Sequence, residues 1–362
     1  MKEIPVLDEV KKPSLLIDTT KVIQNLERMN RKATSSGVIF RPHFKTHQSL
    51  KAAAAFRERG INRITVSSVD MAKYFADDGW QDITIAFLFN LRQMEEVNKL
   101  ASRIKLNVLV EDEFVINKIA ESAKATLGIF IKIDNGYHRT GLEIHQKSKI
   151  NSILNVIDNT KNLIFKGFLT HAGNTYHANS KEEILEIKKE TAYQLNDLKR
   201  QYISQFPNLI ISYGDTPSCS IAESCNEFDE IRPGNFIYYD IMQYHLGSCN
   251  LNNIAVAAAC PVVASHPERN EMVIYGGAVH LSKEMIAGDN HFTLYGYVVA
   301  LSQDGKWDMP INGAYVSSLS QEHGIIKMPA NQMRKFKPGD VLGILPVHSC
   351  LTANLIKDQY WV

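Results

Sequence analysis

The chain has 362 residues, 44% apolar and 22% charged, enough for one large core and a second, smaller one. Its 40 basic and 39 acidic side chains nearly cancel, which leaves no basic surface suited to nucleic acid. Neither end reads as an apolar leader and no apolar run is long enough for a bilayer, so a soluble, cytoplasmic protein without a membrane partner is expected.

A strand-like run, Ser14-Leu15-Leu16-Ile17-Asp18, precedes a helix expected over 21–33, with Thr19-Thr20 as its cap. From about residue 38 to 240, short β-branched apolar runs alternate with segments of helical period. The runs are 38–45, 63–68, 82–88, 105–110, 127–134, 163–171, 209–214 and 228–234. Helices are predicted at 50–59, 71–78, 91–100, 113–123, 150–157 and 181–202, the last with Glu and Lys three and four apart. Eight strands, most followed by a helix, predict an α/β fold with a (β/α)8 TIM-like barrel. Beyond about 245 the runs 254–264, 272–276, 293–300, 314–317, 324–328 and 341–347 are separated by Pro, Gly, Asn and Asp turns, which predicts a smaller all-β domain. The expected division is a barrel over 19–245 and a β-rich domain formed by 1–18 and 246–362.

Five cysteines (Cys219, Cys225, Cys249, Cys260, Cys350) without C-x-x-C spacing fit a reducing compartment better than a disulfide framework. The chemistry-bearing residues fall at strand ends, where a barrel of this kind gathers its active site. Lys45 ends the first strand, Asp134 the fifth, His171 the sixth, Gly214-Asp215-Thr216 the seventh and Gly234-Asn235 the eighth. Pro42 is expected to hold Lys45 on a stiff, extended backbone. Burial, or Arg41, His43 and His47 nearby, would favour the neutral amine needed for Schiff-base chemistry. The turns at 212–218 and 232–235 offer bare N–H groups and a hydroxyl to a phosphate. His348-Ser349-Cys350 places an imidazole and a thiolate at i, i+2, a pair suited to zinc.

Taken together these residues resemble the D-threonine aldolase and D-serine dehydratase group of fold-type III (alanine-racemase-like) pyridoxal-phosphate enzymes. The likeness runs from Pro13-Ser14-Leu15-Leu16-Ile17-Asp18 through Arg41 to His47, Asp134 to Gly141 and His171 to Tyr176. It continues with Gly214-Asp215-Thr216-Pro217, Arg232-Pro233-Gly234-Asn235 and Ser320 to Gly324, and closes on Pro346 to Cys350. The resemblance implies that Lys45 carries pyridoxal 5'-phosphate as a Schiff base, while Thr216 and the backbone of Gly234 and Asn235 hold its phosphate. It implies that Tyr176 faces the pyridine nitrogen, His171 lies against the ring, and Arg139 approaches the phenolic oxygen or the substrate carboxylate. His348 and Cys350 would bind Zn2+, with Mn2+ as the alternative. A homodimer acting on a small D-amino acid is implied as well. A neutral tyrosine at the pyridine nitrogen favours elimination or retro-aldol cleavage over racemisation.

The His-x-Cys pattern points to the dehydratase branch, whose aldolase relatives tend to carry His-x-Asp. A PLP- and zinc-dependent D-serine dehydratase, giving pyruvate and ammonia, is therefore expected. D-threonine aldolase and 3-hydroxy-D-aspartate lyase are the alternatives. A non-catalytic pyridoxal-phosphate carrier is the reading from a different class, and the β-rich tail with its His348 and Cys350 argues against it. Tyr137-His138, Asn174-Thr175 and the segment from Gly276 to His280 depart from the family pattern.

Overall fold

The computed structural model describes residues 5–288 and 292–362, so residues 1–4 of the first segment lie outside it. The chain divides into two compact units, Arg28–Gly234 and a second formed by Met1–Glu27 with Asn235–Val362.

In the first unit all eight expected strands are present: Ile39–Phe40, Ile64–Val66, Asp82–Leu88, Lys105–Val110, Leu127–Asp134, Leu163–Leu169, Ile210–Tyr213 and Glu230–Ile231. Each pairs in parallel with its neighbour in the chain, and the eighth pairs with the first. An isolated parallel bridge between His43 and Thr65 joins the first strand to the second and completes the ring. The fifth strand is buried at every position, which explains its almost unbroken apolar sequence. Helices between strands begin where a short polar side chain accepts a backbone N–H three residues on, as at Ser49, Ser68, Asp112 and Ser180.

Three local expectations are corrected. The first long helix spans Thr19–Ser35, and both threonines lie inside it. Its start is held by Asp18, whose carboxylate accepts from the Lys21 N–H at 3.0 Å. The first barrel strand stops at Phe40, and residues 44–47 form a turn closed by Gln48 N–H donating to the Phe44 carbonyl at 3.0 Å. Lys45 therefore sits on a turn just beyond the strand, not on extended backbone.

In the second unit, strands Glu271–Tyr275, His323–Lys327, Tyr315–Leu319, Gly296–Ala300, Val341–Pro346 and Val256–His266 follow one another antiparallel, and the last pairs back to the first. The result is a small closed antiparallel barrel. Ser14–Ile17 extends it, antiparallel to Val256–His266, and Gln359–Trp361 adds a parallel edge strand. Among the described residues no helix is long and apolar enough to cross a membrane.

The sixth and seventh barrel strands pair at Gly167 and Ile210. The φ of Gly167 is +130°, and a Cβ there would lie 1.9 Å from the Ile210 carbonyl oxygen. Both the backbone conformation and the space exclude a side chain. Gly167→Ala is expected to cost about 3 kcal/mol or more, read as a lowered midpoint in urea unfolding; an unchanged midpoint would contradict this account of the contact.

Candidate active site

In the Arg28–Gly234 unit, the residues singled out from the sequence cluster where the barrel strands end. Lys45 is exposed on its turn, and the neighbours fixed by the fold are Phe44, Thr46 and His47, all buried. Phe44 packs against His47, Phe56, Phe75 and Trp80, with ring centroids 4.4–5.1 Å apart. The turn is thus pinned by everything except the lysine side chain. Of the three cations expected beside Lys45, only His43 is there: its Nδ1 accepts from the Lys45 N–H at 3.3 Å. Arg41 points into the barrel, paired with Asp82 at 2.6 Å and Glu230 at 2.7 Å. His47 belongs to the aromatic cluster, where burial holds its imidazole neutral at about 3.

His43 and His171 are both pushed well below the usual imidazole range, first by burial and then by the Lys45 ammonium. Both imidazoles thus lie within reach of the Lys45 charge. His171 Nδ1 lies 2.7 Å from the Gly214 carbonyl, which can only accept, so that nitrogen carries the hydrogen. The His171 ring also lies 6.1 Å from the ring of Tyr176 and 6.1 Å from that of Tyr137.

The fifth strand delivers the loop that follows it through Asp134, whose Oδ1 accepts from the N–H groups of Gly136, Tyr137 and His138 at 3.0–3.1 Å. Asp134 thus shapes the loop instead of facing the site. Tyr137 fills the space above Gly173, where a Cβ would lie 2.3 Å from its ring. Arg139 is exposed, with its guanidinium 5.1 Å from the centre of the Tyr137 ring.

The strand-seven turn supplies Thr216, first residue of the helix Thr216–Ile221, capped by Asp215 accepting from Ser218 N–H at 2.7 Å. The Thr216 hydroxyl is buried without a hydrogen-bond partner, and its N–H points to the Tyr176 hydroxyl at 3.5 Å. At Gly234 a Cβ would lie 2.8 Å from the His43 carbonyl oxygen, so the eighth strand ends in bare backbone. An orphaned hydroxyl, a bare glycine turn and a nearby lysine fit the phosphate and aldehyde of pyridoxal phosphate.

The remaining three residues belong to the second unit. Asn235 uses its side chain, and not only its backbone: Nδ2 donates to Asp240 Oδ2 at 2.6 Å, Ser349 Oγ at 3.1 Å and Cys350 Sγ at 3.4 Å. Asp240 Oδ2 also accepts from Ser349 N–H at 3.0 Å. Burial works against a charge on His348, but Cys350, Asp240 and Glu284 outweigh it and raise the imidazole to about 9. His348 Nδ1 is buried without a hydrogen-bond partner. The imidazole and thiol are therefore adjacent and suit a borderline-soft divalent ion. No group of three or more His, Cys, Asp or Glu ligands is gathered among the described residues, so protein would supply two donors.

Three buried residues were not marked as site residues from the sequence: Asp240, Arg232 and Lys132. Lys132 is the one cation in the apolar run Leu127–Asp134, and that was the legible signal. Its ammonium donates to the Ile133 carbonyl at 2.7 Å. Burial, then the Arg232 guanidinium, lowers it to about 7, with Asp134 opposing.

The family comparisons agree with this geometry. The model described as alanine racemase, N-terminal domain, matches residues 17–241, and that described as a putative serine dehydratase domain matches 255–362. The chain belongs to the alanine racemase N-terminal-domain family and is an enzyme of the fold-type III pyridoxal-phosphate class. The D-serine dehydratase of Dictyostelium discoideum is 28% identical, over 98% of this chain and 94% of its own length. The D-threo-3-hydroxyaspartate dehydratase of Delftia sp. (strain HT23) is 25% identical, over 94% of this chain and 91% of its own. The solved structure of that Delftia enzyme superposes with a TM-score of 0.88 at 25% identity, covering 96% of this chain and 93% of the other.

Lys132 gives a pH test. A lysine depressed to about 7 when folded binds fewer protons than the unfolded chain between that pH and its ordinary value of about 10.4. Its burial penalty is therefore complete below pH 7 and fades as pH rises. Lys132→Met is expected to gain stability over the parent at pH 6.5, by about 1 kcal/mol or more, and the gain should shrink by pH 9 in paired urea titrations.

Proposed function

We propose that the protein eliminates water from a β-hydroxy-D-amino acid, with 3-hydroxy-D-aspartate ahead of D-serine as substrate. The observation that carries this order is the pair of unpartnered hydrogen-bond donors on the Tyr137 ring, the Arg139 guanidinium and the His177 imidazole. Arg139 and His177 are both exposed, stand on the Tyr137 ring, and have no carboxylate partner among the described residues. One carboxylate is common to all amino acids, and a second would accept from the donor that the first leaves unused. The full-length likeness to the Delftia hydroxyaspartate dehydratase supports the same order. D-serine keeps a place through the Dictyostelium relative, and retro-aldol cleavage of D-threonine is the competing reaction of the same site.

Thr216 and the bare turn at Gly234 would hold the phosphate, and Lys45 the aldehyde carbon. Bound pyridoxal phosphate supplies the electron-withdrawing ring that acidifies the α-hydrogen of the substrate. The Lys45 amine would also serve as the base toward the α-hydrogen of the substrate. Arg139 orients a carboxylate, and neutral His171 packs without adding charge. His348 and Cys350 would hold zinc, or manganese, which supplies Lewis acidity toward a hydroxyl leaving group. Loss of water and hydrolysis would give ammonia with oxaloacetate from 3-hydroxy-D-aspartate, or with pyruvate from D-serine.

The deciding measurement is a product assay on 3-hydroxy-D-aspartate, D-serine and D-threonine with zinc present. Keto acid and ammonia are expected, and glycine with an aldehyde would overturn the elimination. Lys45→Ala should lower kcat by about 10³ or more, and Arg139→Gln should raise KM for 3-hydroxy-D-aspartate about tenfold with less effect on D-serine. Elemental analysis should find one zinc per chain, lost in a His348→Ala variant.

A further inference from the structure

The opposite end of the barrel holds a second chamber that the chemistry above does not use. It is a cavity of about 720 Å³ lined by residues of seven of the strands, from Ile39 of the first to Glu230 of the eighth, with Arg41 just after the first strand and Arg63 just before the second. In most barrels of this kind that layer is filled by bulky apolar side chains. Here polar side chains line it, because the fifth strand carries Gly128, where a Cβ would lie 2.0 Å from Asn107 Oδ1 and 2.9 Å from Lys166 Cγ. The Asn107 and Lys166 side chains lie over the space that a larger residue would occupy. Phe130, packed with Leu109 and Leu169, forms the apolar ceiling.

The charge of the lining is one-sided. Arg41 is shared by two carboxylates, Asp82 and Glu230, which leaves that triad with one negative charge in excess. Arg103 reaches out to Asp77 at 2.8 Å. Arg63, Lys105 and Lys166 also line the cavity, and among the described residues none of them meets a carboxylate; Arg63 touches only the Asn62 side chain, at 3.2 Å. Three free cations against one excess carboxylate leave two positive charges facing a polar chamber large enough for a small metabolite. Low-dielectric walls on several sides strengthen that field relative to a flat surface.

We propose that this mouth of the barrel is a binding site for a small organic dianion, held by Lys166, Lys105 and Arg63 with Asn107 as a polar partner. Phosphate monoesters and dicarboxylates share the required chemistry. The site binds and does not catalyse: the two carboxylates in its lining are taken up by Arg41, and the cofactor-binding residues lie at the other strand ends. It does not depend on the substrate proposed above.

The test is isothermal titration of the holoenzyme at pH 7.5 with inorganic phosphate, succinate and chloride in separate arms. One dianion per chain is expected, with chloride at least tenfold weaker. Phosphate alone would point to a phosphate monoester as the natural ligand, succinate alone to a dicarboxylate, and either supports the site. The Lys105→Gln/Lys166→Gln double variant should weaken binding at least tenfold while the cofactor absorbance stays as in the parent. Arg63→Gln, outside the strands, gives an independent variant with the same expected direction. Absence of dianion binding, or binding that both variants leave unchanged, overturns the proposal.

Discussion

The single pairing of His43 with Thr65 closes the barrel, and the position of Lys45 depends on it. Thr65 N–H donates to the Pro42 carbonyl at 2.9 Å, and its own carbonyl accepts from Phe44 N–H at 2.8 Å. Its hydroxyl donates to the Arg41 carbonyl at 2.9 Å. One threonine thereby ties down three consecutive peptide units just beyond the first strand. Proline has no N–H to offer a ladder, so the strand frays into a turn directly afterwards. Phe44 and His47 then anchor that turn among aromatic rings, and the residue between them in the turn that points outward is the lysine. A reactive amine on an over-determined backbone loses little freedom when it reacts.

Inside the barrel a chain of buried polar contacts separates the two ends. Asp82, Arg41 and Glu230 are joined as ion pairs; Glu230 accepts from Ser212 Oγ at 2.6 Å, and Ser212 accepts from Arg232 Nε at 2.7 Å. Arg232 also donates to the Thr170 carbonyl, and its Cβ would lie 3.1 Å from one added at Gly214. Buried charges are tolerated only when paired and hydrogen-bonded, and here the pairing links strands one, three, seven and eight. The same contacts support from below the glycine turns that end strands seven and eight. Stability and site geometry therefore share one network.

Much of this was legible in the sequence because its signals are local. Alternating apolar runs marked all eight barrel strands, and Pro42 drew attention to the heptad around Lys45. What stayed hidden depends on partners far along the chain. Arg41 looked like a neighbour of Lys45, but Glu230, 189 residues later, turns it into the barrel. Gln359–Trp361 is three residues long and exists as a strand only because Ser14–Ile17 lies beside it. Asn235 was read for its backbone, since nothing near it reveals that Asp240 and Ser349 claim its side-chain nitrogen. The cavity beside Gly128 likewise needs the neighbouring strands to be seen.

The hydrogen bonds around Lys45 also decide which group can carry a proton. His171 Nδ1 is committed to the Gly214 carbonyl, so in the neutral ring Nε2 bears a lone pair and has no hydrogen to give. His43 Nδ1 is occupied as an acceptor by the Lys45 backbone N–H, which leaves its hydrogen on Nε2. Burial and the lysine's own charge keep both rings from taking up a second proton. The two imidazoles beside Lys45 are thus fixed in single tautomers by backbone groups. The fold thus sets the hydrogen-bonding of both rings beside Lys45 through backbone groups alone.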